Sequence, residues 1–280
     1  MIIDNATFYF GKIFEMYIGN KKELMKKYFS IILSFAFMLM FSQVENIKNG
    51  EKLTYRIHYG FLNAGTATLT ANQINYRNAP HYKVTGVGRS SGAVRAFFKV
   101  DDVYESYINI ATGLPSHYVR NVSEGGYRRH FETEFNQDNQ SLTLTNKLEK
   151  TSKHFKTVKG LQDMISAFYY LRSIDSTNFK VGSALKINVW IDDEIYPFML
   201  KVTGIENRNT KFGKISCLKI VPYVMSGRIF KSQEGVTMYV TNDANLVPVE
   251  MKAELLVGSL KASLDSYHNV KYPMNFRWAK

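Results

Sequence analysis

From Gly50 onward the chain alternates. In Leu53-Thr54-Tyr55-Arg56-Ile57-His58-Tyr59 the apolar residues fall on one face and the polar ones on the other, the period-two pattern of a half-buried strand. Asn63-Ala64-Gly65 reads as a turn, and Thr66 to Ala71 resumes the alternation. The pattern recurs at Tyr127 to Phe135, Ser141 to Thr145, Leu185 to Ile191, Phe198 to Val202, Lys214 to Val221, Val236 to Thr241 and Leu260 to Asp265. Turn-forming clusters separate these runs: Asn78-Ala79-Pro80, Glu124-Gly125-Gly126, Asp138-Asn139 and Asn242-Asp243. Alternation needs one wet face and one buried face, so the sequence predicts a mainly β protein with an antiparallel sheet.

One segment breaks the period. Leu161, Met164, Ile165, Phe168 and Leu171 follow helical spacing, which predicts a single packed helix over about 161–172. Gln162, Asp163, Ser166 and Arg172 then form its outer, polar face, with Asp163 and Arg172 placed to suit the helix dipole.

The chain also resembles itself. A shift of 132 positions pairs Phe98 with Phe230, Lys99 with Lys231, Tyr107 with Tyr239, Leu114 with Leu246 and Gly126 with Gly258. Chance yields about one or two identities in such a window at ordinary residue frequencies. The reading is two similar halves, about 51–150 and 183–270, joined by a helix-bearing connection at about 155–180. Together they would form a curved antiparallel sheet or partly closed β-barrel, whose concave face could hold an elongated apolar ligand.

Ahead of this β-rich domain, at 44–280, lies a targeting pattern. MKKYFSIILSFAFMLMFSQ, Met25 to Gln43, joins two lysines to an apolar run too short for a comfortable span, as in an export signal cut near Ser42 or Gln43. Residues 1–42 are read as an N-terminal extension plus signal peptide, with translation starting at Met25. A retained membrane anchor is the alternative. These 42 residues hold five Lys/Arg and three Asp/Glu of the chain's 36 and 24, so the remainder keeps an excess of ten positive charges. For an exported protein that excess points to lipid head groups or acidic glycans rather than nucleic acid. A single cysteine, Cys217, excludes an intramolecular disulfide.

Four blocks, in order, carry a family resemblance: GEKLTYRIHYGFLNAGTATL at 50–69, FFKVDDVYESYI at 97–108, LQDMISAFYYLRS at 161–173, and the tail GRIFKSQEGVTMYVTNDANLVPVEMKAELLVGSLKASL at 227–264. They resemble the domain-of-unknown-function 3108 family of exported bacterial proteins. The resemblance implies an exported, β-rich protein and carries no activity or catalytic residue.

Chemistry is sparse. Gly88-Arg89-Ser90-Ser91-Gly92 fits G-x-S-x-G, with Asp265 and His268 downstream, but a nucleophile elbow needs a parallel α/β core that alternating antiparallel strands do not supply. The six histidines are scattered without metal-ligand spacing, and Asp192-Asp193-Glu194 reads as a hairpin turn. Paired carboxylates for glycan cleavage, or an ester hydrolase, remain the enzymatic alternative. Aromatic and basic residues interleave, as in Tyr127-Arg128-Arg129-His130-Phe131, which in a cupped sheet suits an acyl or sugar ligand with a phosphate or carboxylate at the rim. The sequence therefore predicts a periplasmic or secreted, non-catalytic binder of a lipid or acidic glycan that needs no cofactor, no metal and no nucleic acid. The candidate contacts are Tyr170, Arg172 and Trp190. A structural or protein-interaction module, its concave face filled by its own side chains, is the other reading.

Overall fold

The computed structural model describes residues 46–277 other than 227–228, 233–234 and 256–257, with side chains outside 225–234. Residues 1–45, and with them the apparent export signal, lie outside the described residues.

The first half of the chain runs through β1 (Glu51–Tyr59), β2 (Leu62–Tyr76), β3 (Ala79–Ser90), the short α1 (Gly92–Phe97), β4 (Asp101–Asn109), β5 (Pro115–Glu124), β6 (Tyr127–Asn136), β7 (Ser141–Asn146) and β8 (Thr151–Lys156). A three-residue β9 (Leu161–Asp163) leads into α2 (Met164–Arg172). The second half follows as β10 (Ala184–Ile191), β11 (Glu194–Thr210), β12 (Gly213–Ser226), β13 (Ile229–Ser232), β14 (Val236–Thr241), β15 (Pro248–Glu254) and β16 (Ser259–His268). All belong to one curved sheet, in the order β8-β7-β6-β5-β4-β3-β2-β1-β16-β15-β14-β12-β11-β10-β9, with β13 paired to β12. Every pairing is antiparallel except β9 with β10, where α2 supplies the crossover.

The same shift of 132 positions carries β2 onto β11 and β6 onto β16 at their first residues. It also carries the register break between Tyr107 and Ile108, in β4 against β5, onto the break between Tyr239 and Val240 in β14 against β15.

Two local expectations change. The first turn falls at Gly60 and Phe61, and Asn63-Ala64-Gly65 belongs to β2. Gly60 takes the left-handed conformation at φ 57°, which glycine adopts without a Cβ penalty. Gly65 serves closeness instead, since a Cβ there would lie 2.2 Å from the Arg89 carbonyl oxygen of β3.

The second correction concerns the helix. It starts at Met164, and Leu161 to Asp163 pair with β10 as a strand. Gln162, Asp163, Ser166 and Arg172 are buried, not an outer polar face, while Met164 is exposed. The sheet curls around α2, so the helix has no solvent side of any width. Its side chains reach every part of the core: Leu171, Ala167 and Tyr170 pack with Val202, Ile220 and Val240, Phe168 with the cluster of Leu53 and Cys217, Tyr169 with Tyr82 and Val84, and Ile165 with Tyr118 and Leu144.

The two ends of the sheet overlap. Val189 and Trp190 are consecutive in β10 and therefore point to opposite faces, yet both are buried. Val189 joins the cluster of Leu171 and Leu200, and Trp190 joins Phe135, Leu142 and Leu144 of β6 and β7. The Trp190 ring meets Phe155 of β8 edge-on at 5.1 Å. Gln137 Nε2 donates to the Leu161 carbonyl at 3.0 Å, fastening the β6–β7 turn to β9. The contacts join the faces of the two sheet ends, and β8 keeps an exposed outer edge.

Candidate functional site

Two polar constellations lie inside the curl. At the end of α2, the Arg172 guanidinium donates to both Glu51 carboxylate oxygens, at 2.5 and 2.8 Å, to the Asn245 carbonyl at 3.2 Å, and lies over the Tyr169 ring. Neither charged side chain is exposed. At the start of α2, Asp163 Oδ1 accepts from the Ile165 and Ser166 amides, and the Ser106 hydroxyl donates to Oδ2 at 2.6 Å. Ser166 Oγ accepts the Asp163 amide in return, a capping box. Burial raises the Asp163 carboxyl to about 6, against the lowering effect of these donors. Both constellations are satisfied inward by protein groups.

An open cleft lies elsewhere, at the mouth of the overlap. A cleft of about 410 Å³ runs between β6, β7 and β8 on one side and the β10–β11 turn on the other. Phe131 and Leu144 contribute its apolar lining, Tyr127, Arg128, Arg129 and Lys153 its aromatic and cationic walls, and Asp192 and Asp193 its acidic lip. Alternation in β6 sends Tyr127, Arg129 and Phe131 to one face, so the Arg129 guanidinium lies over both rings, at 5.3 and 5.4 Å. Such stacking orders a guanidinium while leaving its N–H donors available. Arg120 of β5 reaches Asp192 across the overlap. The β10–β11 turn can present Asp192 because this residue holds φ 57°, which aspartate tolerates better than most.

The sequence-predicted contacts are not together. Arg172 is locked to Glu51, Trp190 is buried against Phe155, and Tyr170 is half-buried on the core cluster of Leu171 and Phe179. The concave face is occupied by α2 and its four clusters, so the elongated apolar groove expected from the sequence is filled. Interleaving at Tyr127 to Phe131 did mark the cleft. Nothing local signalled Leu144, Lys153 or Asp193, which join it only through the overlap.

The G-x-S-x-G stretch builds no elbow. Ser90 closes an antiparallel strand, is buried, and its Oγ accepts the Val100 amide at 2.9 Å. Asp265 is paired with Arg56 and Lys211. His268 sits opposite Lys52, near the start of β1, whereas Ser90 sits opposite Gly65, near the end of the β1–β2 hairpin that carries its turn. Among the described residues, no three His, Cys, Asp or Glu side chains gather as a metal site would require.

Residues 54–265 match the model of a family described as "Protein of unknown function (DUF3108)". The chain belongs to the DUF3108 family. The match takes in the cleft residues from Tyr127 to Asp193, α2, and all but the outer ends of β1 and β16. Among solved structures, the DUF3108 chain resembles a β-barrel-like protein of another unassigned family, DUF1849, from Brucella abortus. The TM-score is 0.52 at 9% identity, covering 78% of this chain and 96% of that one. It also aligns, at TM-score 0.34 and 8% identity over 80% and 98% of the two chains, with a candidate exported protein of YmcC-like fold from Bacteroides fragilis. No curated protein matches. The first likeness establishes a barrel-like fold; at 9% identity it says nothing of activity. Among the described residues, no helix is long and apolar enough to cross a membrane.

Proposed function

We propose that this DUF3108 protein is an exported, non-catalytic envelope protein that binds an anionic group of an amphiphilic or glycan molecule in the cleft at the sheet overlap. The observation that carries the reading is Arg129 stacked over Tyr127 and Phe131 beside Arg128 and Lys153. That arrangement offers charge-assisted donors for a phosphate or carboxylate, next to apolar rings for the rest of the molecule. The export pattern at Met25 to Gln43 and the basic balance of the remaining chain support an envelope setting.

The test is titration calorimetry with dihexanoyl phosphatidylglycerol and with trigalacturonate, using dihexanoyl phosphatidylcholine as control. Saturable binding of either anionic probe is expected, weakened about tenfold or more by Arg129→Ala, the scale of one lost charge-assisted contact. Absence of binding by both anionic probes sinks the reading. In that event the filled concave face favours the second reading, a protein-interaction module of the envelope.

A further inference from the structure

The cleft opens beside a rim that carries a second feature. The β1–β2 turn, the α1 connection and the β5–β6, β7–β8 and β15–β16 turns all lie at one end of the sheet. Register fixes this: the Ser91 amide donates to Ala64, Gly125 to Lys99, Lys147 to His130 and Gly60 to Ser259. On that one end stand Phe61 at 95% exposure and Phe97 at 91%, with Leu62, Phe98 and Leu148 each about half exposed or more. An exposed apolar side chain is ordinary; a group of them on three connections at one end of a sheet is not.

Cations flank these side chains at the α1 connection, on an end where β5 and β15 also finish in Glu124 and in Glu254, the latter paired with Lys252. Arg89, Arg95 and Lys99 share the single Asp101 carboxylate, at 4.0, 3.0 and 3.4 Å, which leaves that group positive. Arg128, near the start of β6, and Lys150, on the β7–β8 turn, are exposed nearby. Lys147 is balanced by Glu132, and Asp193 and Glu149 turn to the cleft.

Phenylalanines at the tips with arginine and lysine one step behind match the depth profile of a lipid surface, apolar at the acyl boundary and anionic at the head groups. We infer that this rim docks on the surface of a bilayer containing anionic phospholipid, with Phe61 and Phe97 entering the interface. A protein partner would be expected to meet a shaped surface; separate side chains projecting from separate loops suit a fluid one. The docking goes beyond the cleft reading and needs no occupant in the cleft.

The site-specific test places a tryptophan side chain at the tip. Phe97→Trp, in protein purified as cells produce it from the full chain, should shift its emission to shorter wavelength on adding vesicles of mixed phosphatidylglycerol and phosphatidylcholine. Brominated acyl chains should quench it. Pure phosphatidylcholine should give little change, and raised salt should reverse the shift. In flotation, Phe61→Ser with Phe97→Ser should lower recovery with anionic vesicles about tenfold or more, with an unchanged circular dichroism spectrum because neither side chain is packed. No emission shift, or an equal shift with both vesicle types, overturns the inference. Adding Arg129→Ala to the Phe97→Trp variant separates the two proposals: lost short-chain lipid binding with retained quenching by brominated chains leaves both intact, and retained short-chain binding fails the cleft alone.

Discussion

Arg172, the last residue of α2, and Glu51, the first of β1, meet as a two-pronged ion pair with no solvent on either side chain. The pair ties the helix to the strand that begins the fold. The Asn46 side chain adds a bond to the Arg172 carbonyl at 2.6 Å, and Asn245 links the same corner to Tyr272 near the chain's end.

Breaking one partner strands the other. Glu51→Ala leaves a buried guanidinium without its counterion and should cost about 3–5 kcal/mol. The double replacement Glu51→Leu with Arg172→Met should recover most of that loss, since burying ions is itself expensive. Urea unfolding of the three proteins measures both; equal loss in the single and double variants would refute this account.

Asp163 sets a pH dependence. Its folded carboxyl titrates at about 6, above the ordinary 3.8, so the folded state holds a proton that the unfolded chain has released. Its contribution to stability is therefore present below about pH 4 and lost as pH rises through 6, by roughly 2–3 kcal/mol. Asp163→Asn keeps an oxygen acceptor for the Ile165 and Ser166 amides and removes the titration. Thermal melts between pH 4 and 7 should lose that falling component in the variant.

Cys217 has no exposed surface, and burial pushes its thiol up to about 12. A thiolate is the reactive form, so the native protein should resist Ellman's reagent. Labelling should follow unfolding and share its urea midpoint. Fast reaction without urea would show that the Leu53 and Val249 cluster opens.

Gly65→Ala brings a methyl against the Arg89 carbonyl of β3. Backbone cannot rotate away as a side chain can, so a loss of about 2 kcal/mol or more is expected by chemical denaturation. Directly opposite Gly65, Ser90→Ala strips the Val100 amide of its acceptor, a cost of about 1 kcal/mol. Ester hydrolysis by the protein, if any is detected, should not change.

Alternation made the strands legible, because each of Leu53, Tyr55 and Ile57 faces inward where its neighbours Thr54 and Arg56 face outward. It failed where both faces are covered. Leu161-Gln162-Asp163 reads as the first turn of a helix because Leu161 keeps helical spacing with Ile165; only pairing with Asn188 to Trp190 makes it a strand. Arg172 looked like a helix-end charge since nothing near it in sequence reveals Glu51, 121 positions away. For the same reason half the cleft was visible and half was not. Tyr127 to Phe131 announce themselves within one strand, whereas Asp193 arrives by the folding over of a distant hairpin.

The order of strands across the sheet carries one more consequence, a kinetic one. Read from β10 through β16 to β1 and on to β8, the sheet's order follows the chain as a simple meander, with β13 set aside. The pairing of β1 with β16 alone brings together residues as far apart as Lys52 and His268. Closing that span is the long-range step folding must wait for. A circular permutant that links the ends near Asn49 and Asn269, already hydrogen-bonded at 2.6 Å, and opens the chain at 157–160 would turn it into a hairpin. Such a chain should fold faster into the same curled sheet.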